Sequence, residues 1–124
     1  MKVKRIVANI PASDIGAARR FYEDVLGLER LMDHGWIVTY GNSEPGSVQV
    51  SVATQGGSET PTPDLSVEVD DVDEALRRMT GAGFPAIYGP ADEPWGVRRF
   101  YVRDPFGKIV NILSHSGNEK RDGG

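Results

Sequence analysis

The chain contains no cysteine. That absence excludes disulfides, thiolate nucleophiles and every metal site built on sulfur. No apolar run approaches the roughly 20 residues that a membrane-spanning helix needs. The opening MKVKRIVANI has neither a long apolar stretch nor a small-residue cleavage site. No secretory leader is therefore expected, and the cytoplasm is the expected compartment. A basic surplus is missing as well: 14 Lys and Arg against 18 Asp and Glu leave a formal net charge of −4. The small basic groupings, Lys2, Lys4 and Arg5, then Arg98, Arg99 and Arg103, do not interleave with aromatics as a nucleic-acid surface would. Neither nucleic acid nor membrane is expected as a partner. No phosphate-binding loop, dinucleotide glycine pattern or Ser-His-Asp order is present.

What the chain does have is one arrangement, stated twice. The length of 124 residues suits a single domain, able to bury roughly two-thirds of its unfolded surface without covalent staples. A strand-like run, VKRIVANI, is followed by DIGAARRFYEDVLGLE, whose apolar residues at 15, 18, 21, 22, 25 and 26 keep the helical period. Ser13 or Asp14 can cap that helix, and Gly27 supplies a left-handed stop. Three strand candidates follow: LERLMD (28–33), WIVTYG (36–41) and SVQVSVA (47–53). The second half repeats the order. LSVEVDD (65–71) alternates as a strand, and DVDEALRRMTGAGF (71–84) is helical, with acids first and arginines later, as the helix dipole favours. Then come PAIYG (85–89), the loop PADEPWG, VRRFYVR (97–103), the type I turn DPFG and KIVNILS (108–114).

Three stretches, NIPASDIGAARRFYEDVLGLE (9–29), LSVEVDDVDEALRRMTGAGF (65–84) and FYVRDPFGKIVNIL (100–113), resemble the vicinal oxygen chelate superfamily. That group includes glyoxalase I, extradiol dioxygenases, fosfomycin-resistance enzymes and bleomycin-binding proteins. The resemblance implies an α+β fold in which paired βαβββ modules form a curled mixed sheet around a cavity, often in a homodimer. The expected organisation is one glyoxalase-like domain over residues 1–115. Its modules span about 3–53 and 64–115, joined by a linker at 54–63, and 116–124 form a disordered tail.

In the metal-dependent members the ligands are His or Glu, on the first strand and near the last strand of each module. The matching positions here carry Val7 (Ile6 under a one-residue shift), Gln49 or Ser51, Asp64 and Asn111. A divalent catalytic centre usually takes at least three imidazole or carboxylate ligands, so no metal and no cofactor is expected.

Strand alternation then selects the candidate pocket. Leu65, Val67 and Val69, with Phe100 and Val102, should face the second helix, which leaves Asp64, Ser66, Glu68, Arg99, Tyr101 and Arg103 on the other side. On the last strand Val110 and Ile112 take the helix face, and Asn111 points away from it. A buried amide without a partner costs about 1–3 kcal/mol, so Asn111 should meet a ligand, a water or a neighbouring polar side chain. The expected ligand-binding set is Asn9, Trp36, Tyr40, Asp64, Glu68, Tyr88, Trp95, Tyr101 and Asn111. Trp95 in EPWG reads as a lid or interface element, and His34 and His115 as surface residues. The function expected is metal-independent binding of a small molecule, an antibiotic or a planar metabolite, by a homodimer. The alternatives are a lyase, isomerase or dioxygenase of the same superfamily, using Asp64, Glu68 or His34 as acid–base groups or an atypical metal, and a regulatory dimer with a vestigial cavity.

Overall fold

The structure, a computed structural model, describes residues 1–42 and 49–115. The expected tail at 116–124 and the start of SVQVSVA lie outside those residues. The chain divides into two compact units: Met1–Ile6 together with the chain from Pro63 onward, and Val7–Thr62. The first strand, β1 (Val3–Pro11), contributes its beginning to one unit and its end to the other.

In the Val7–Thr62 unit the strand order is β2-β3-β4-β1, with β2 at Glu29–Asp33, β3 at Ile37–Gly41 and β4 at Gln49–Ala53. Strand β4 runs parallel to β1, placing Ser51 opposite Asn9, and antiparallel to β3, placing Ser51 opposite Thr39. The sequence predicts one α-helix over 14–27. The structure instead has a 3-10 turn, Ile15–Ala17, followed by a π-helical segment, Arg19–Val25. Asp14 caps the turn by accepting the Gly16 N–H at 3.0 Å. At the far end the Leu26 N–H reaches back five residues to the Phe21 carbonyl, and Gly27 leaves with φ +74°. A wider turn cannot keep a stripe spaced at 3.6 residues on one side. Ile15, Ala18 and Tyr22 accordingly pack on Val38, Tyr40 and Val52, while Phe21, Val25 and Leu26 stay exposed.

The other unit has strand order β1-β5-β8-β7-β6, with β5 at Leu65–Val69, β6 at Tyr88–Asp92, β7 at Val97–Arg103 and β8 at Ile109–His115. Helix α1, Val72–Gly81, is capped by Asp71, whose carboxylate accepts the Glu74 N–H at 3.0 Å. Its Val72 and Ala75 pack with Val69, Phe100, Val102 and Ile112, and Val67, Leu76, Met79 and Val110 close the rim of that core. The strand members are those that alternation assigns to the helix face, except Leu65, which is not part of this core. Strand β6 is displaced from the expected 85–89. Its pairing with β7 sets Tyr88 opposite Tyr101 and Ala91 opposite Arg99, with an irregularity between them. Three of the seven residues of the expected PADEPWG loop are therefore strand, and the tight turn that remains carries Glu93 to Gly96, with Glu93 N–H on the Val97 carbonyl at 2.7 Å.

Two glycines make contrasting demands. Gly27 has a positive φ but open space where a Cβ would stand, whereas at Gly89 (φ +81°) a Cβ would come within 2.6 Å of the Arg99 carbonyl oxygen. Gly27→Ala should cost about 1–2 kcal/mol of stability, the left-handed penalty alone. Gly89→Ala should cost about 3 kcal/mol or more, because the obstructing atom is backbone that can move only by opening the β6–β7 pair. Urea unfolding of the two variants checks the order.

Candidate functional site

The face of the β5-β8-β7-β6 sheet turned away from α1 is built row by row from strand pairing. Ser66 lies opposite Asn111, Asn111 opposite Tyr101, and Tyr101 opposite Tyr88. One register step along, Glu68 pairs with Leu113, Leu113 with Arg99 and Arg99 with Ala91. The first row thus offers a hydroxyl, an amide and two phenol rings, the rings 5.2 Å apart between centroids and tilted at 53°. Asn111 is 7% exposed; its Nδ2 donates to Ser66 Oγ at 3.1 Å, and its Oδ1 is buried without a hydrogen-bond partner.

Arg99 organises the second row. Its guanidinium is 3% exposed and its Nε donates to Glu93 Oε2 at 2.7 Å. The Tyr88 hydroxyl donates to the same carboxylate oxygen at 2.7 Å, and Arg99 Nη1 donates to the Tyr101 hydroxyl at 3.1 Å. Around it stand the rings of Trp95, Tyr101 and Tyr88, with centroids at 4.9, 5.0 and 5.4 Å from the guanidinium carbon. Breaking a buried pair by removing one partner costs about 3–5 kcal/mol, because the remaining charge is stranded. The pair therefore fixes the Glu93–Gly96 turn, and with it the position of Trp95.

On β5, Glu68 gathers three basic side chains. Arg5 Nε donates to Oε1 at 2.7 Å, His115 Nδ1 is 2.9 Å from Oε2, and Lys4 Nζ is 3.9 Å from Oε2. The His115 hydrogen bond, supported by the charge of Arg5, overcomes desolvation and holds the Glu68 carboxyl at about 2 against its ordinary 4.5. Such a carboxylate is a feeble proton acceptor at neutral pH, since a good general base titrates near the working pH.

Of the nine residues expected to bind a ligand, Tyr88, Trp95, Tyr101, Glu68 and Asn111 share this unit and this sheet face or the turn beside it. Asp64 is elsewhere in its bonding: it is exposed, and its Oδ2 accepts the Ile109 N–H at 2.8 Å. It fastens the start of β5 to β8. The remaining three belong to the Val7–Thr62 unit. Asn9 stands in a polar row with Ser51 and Thr39, whose hydroxyls are 2.7 Å apart. Trp36 precedes β3 and stacks with His34 at 6.2 Å. Tyr40 lies on the helical side, 2% exposed and stacked on Tyr22 at 5.6 Å. It helps line a cavity of about 290 Å³ with Ile15, Gly16, Arg19, Arg30, Asp33, Gly35 and Val38. Strand alternation puts Arg99 on this face although it is not in the expected binding set; Glu93 carries no expectation from sequence, and His115, expected as a surface residue, is half-buried against Glu68. The proximity of Glu93 to Trp95 was the available signal for that pair. The partnership of His115 with Glu68 depends on a separation of 47 residues that no local pattern reveals.

The metal-ligand positions implied by the resemblance do not suit a divalent ion. Val7 has no donor, Gln49 and Asn111 offer only amide oxygens, the Ser51 hydroxyl is bonded to Thr39, and Asp64 already serves a backbone amide. Among the described residues no three His, Cys, Asp or Glu side chains gather as a metal set. No helix among them is long and apolar enough to cross a membrane.

The architecture is thus α+β, with mixed parallel and antiparallel pairing and a helix packed on one side of the sheet. A profile of the Glyoxalase/Bleomycin resistance protein/Dioxygenase superfamily matches residues 3–112, and the chain belongs to that superfamily. Solved structures with the same fold include an NAD-dependent benzaldehyde dehydrogenase from Legionella pneumophila, at TM-score 0.72 and 17% identity, covering 90% of this chain and 100% of that one. A glyoxalase/bleomycin resistance protein/dioxygenase superfamily member from Vibrio splendidus 12B01 matches at 0.62 and 19%, over 92% and 99% of the two chains. Methylmalonyl-CoA epimerase from Mycobacterium tuberculosis matches at 0.62 and 16%, over 96% and 91%. At these identities the likeness is one of fold. No curated protein matches the chain.

The Glu68 carboxylate carries a pH prediction. Its value is lowered on folding, so the stability it supplies is complete above 4.5 and is lost as pH falls toward 2. The size is about 3 kcal/mol by proton linkage. Glu68→Gln removes this term and leaves the other carboxylates in place. Urea midpoints for wild type and variant between pH 5 and pH 2 should converge as the solution becomes more acid.

Proposed function

We propose that the protein is a cytoplasmic, metal-independent small-molecule-binding protein of the glyoxalase/bleomycin resistance type, and that the Asn111 face of the second module receives the guest. The observation that carries this reading is the Asn111 Oδ1, buried on a sheet face with nothing to accept from. An acceptor left in that state costs about 1–3 kcal/mol, and a bound molecule relieves the cost. The half-buried Tyr88 supplies ring surface beside the row, backed by the buried Tyr101, and apolar surface next to one directed polar group is the mixture that orients a small organic guest. The enzymatic alternative needs an acid–base group: Glu68 is committed to Arg5 and His115, Asp64 to a backbone amide, and His34 stacks on Trp36 in the Val7–Thr62 unit, which does not contain the Asn111 row.

A screen of planar ring compounds against ¹⁵N-labelled protein tests the reading. Saturable shifts of the Ser66, Asn111 and Tyr101 amides at one equivalent, with the compound recovered unchanged, are expected. Trp95→Ala should weaken the best compound by about 3–10-fold, through loss of ring contact or of the order it imposes on Arg99. Shifts confined to other surfaces, or chemical turnover of the compound, would count against it.

The same reading includes a homodimer, supported by three apolar side chains exposed on or beside the π-helical segment: Phe21 at 58%, Val25 at 68% and Leu26 at 56%. Contiguous exposed apolar surface of this kind marks association sites. Light scattering at micromolar concentration should give twice the chain mass, and Val25→Glu should return it to one.

A further inference from the structure

The bonding of the Asn111 face points to more than the presence of a guest: we infer that the molecule held there is planar, uncharged and a hydrogen-bond donor, presenting an N–H or O–H to Asn111 Oδ1. This inference rests on the reading of that face as a binding site, and it specifies the chemistry the site selects.

Three independent features converge. The first is the direction of the unmet bond. Ser66 Oγ takes the hydrogen of Asn111 Nδ2 at 3.1 Å, which leaves the carbonyl end of the amide as the group without a partner. Only a donor completes it; an acceptor-rich guest would set oxygen against oxygen. Rejecting a guest that cannot pair with a buried polar group is the strongest kind of discrimination a small site achieves.

The second is charge. The buried charges on this face are already answered within the unit, Arg99 by Glu93 at 2.7 Å and Glu68 by Arg5 at 2.7 Å; Asp64 and Arg103, one row further along, are exposed and bonded to the Ile109 N–H and the Gly107 carbonyl. An ionic guest would lose its hydration and find its complement occupied, which disfavours it. A neutral one meets no such obstacle.

The third is the surface beside the amide. Tyr101 is directly across the strand pair from Asn111, and Tyr88 is across from Tyr101. Tyr101 is 1% exposed and serves as the wall behind the row, whereas Tyr88 is half-buried, so a flat molecule whose edge meets Asn111 has the Tyr88 ring as its aromatic neighbour, where offset or edge contacts are favourable. The competing occupant is a lone water, which can donate to Oδ1 but has no use for the rings and must find two to four polar partners.

Indole and benzofuran separate these possibilities, because they share shape and differ in one group: N–H in indole, an oxygen in benzofuran. Titrating each into wild-type protein and following the Ser66, Asn111 and Tyr101 amides should show indole binding about tenfold tighter, the scale of one net hydrogen bond. Asn111→Leu should bring the two within about twofold of each other, and thermal melts establish that it folds. Asn111→Ala, which removes the acceptor without adding bulk, should do the same and covers the case in which the leucine variant does not fold. Equal binding of indole and benzofuran, or a preference that survives Asn111→Leu, overturns the donor inference and leaves the binding reading standing. If neither moves those amides while other ring compounds do, the donor inference again falls alone. If no ring compound moves them and only an ordered water is found at Oδ1, both fall.

Discussion

A β-strand has two faces, and β8 can set only one of them against α1. The unit formed with Pro63 onward depends on that constraint more than on any single contact. Val110 and Ile112 enter the helix-facing core with Val67, Val69, Phe100 and Val102. A slip of one residue would put Asn111 into that core and turn Ile112 toward Tyr101. Such a slip exchanges every side chain of the strand at once, so register is held by the whole apolar set together. The polar row Ser66, Asn111, Tyr101 and Tyr88 is a consequence of burying the other row. Its geometry is therefore as rigid as the core behind it, the support that a selective site requires.

Much of this was legible in the sequence because period-two alternation is strong where one face is buried. The helix-facing set apart from Leu65, the acids-first order of α1 and the bounds of β7 all follow from local pattern. The places where pattern failed have identifiable causes. The stripe at 15, 18, 21, 22, 25 and 26 predicts a regular helix, but the turn widens to π geometry and divides the stripe between core and solvent. Strand β6 is displaced because Gly89 permits close approach to the Arg99 carbonyl, and pairing continues to Asp92 through residues whose composition reads as loop. Tyr40 was grouped with the pocket on aromatic character, although its place between Thr39 and Gly41 sets it on the helical side by the same alternation that located Asn111.

The site residues that the sequence did not select are those whose role comes from a partner far along the chain or on a turn. Arg99 is ordinary as one arginine among several in RRFYVR. It becomes central only when the β6–β7 register brings Glu93 within 2.7 Å. His115 is the last residue of β8, and its importance comes from Glu68 on the neighbouring strand. Long-range electrostatics leaves no periodic trace. What can be read locally is which strand positions are polar against an apolar alternation, and Asn111 is the clearest of these.

The distribution of satisfied and unsatisfied groups then separates structure from function on this face. Arg99, Glu93, Tyr88 and Tyr101 bond among themselves, and Glu68 is surrounded by Arg5, His115 and Lys4. Groups so engaged are poor reagents: a carboxylate held at about 2 neither takes nor gives a proton readily at neutral pH. They are good walls, because breaking any one bond strands a charge or a dipole in a poorly solvated place. Within that closed frame Asn111 Oδ1 is left open. A reactive centre needs groups poised to change state, whereas recognition needs a fixed frame with a specific vacancy in its bonding. The face around Asn111 has the second character, and for that reason binding explains its chemistry better than catalysis does.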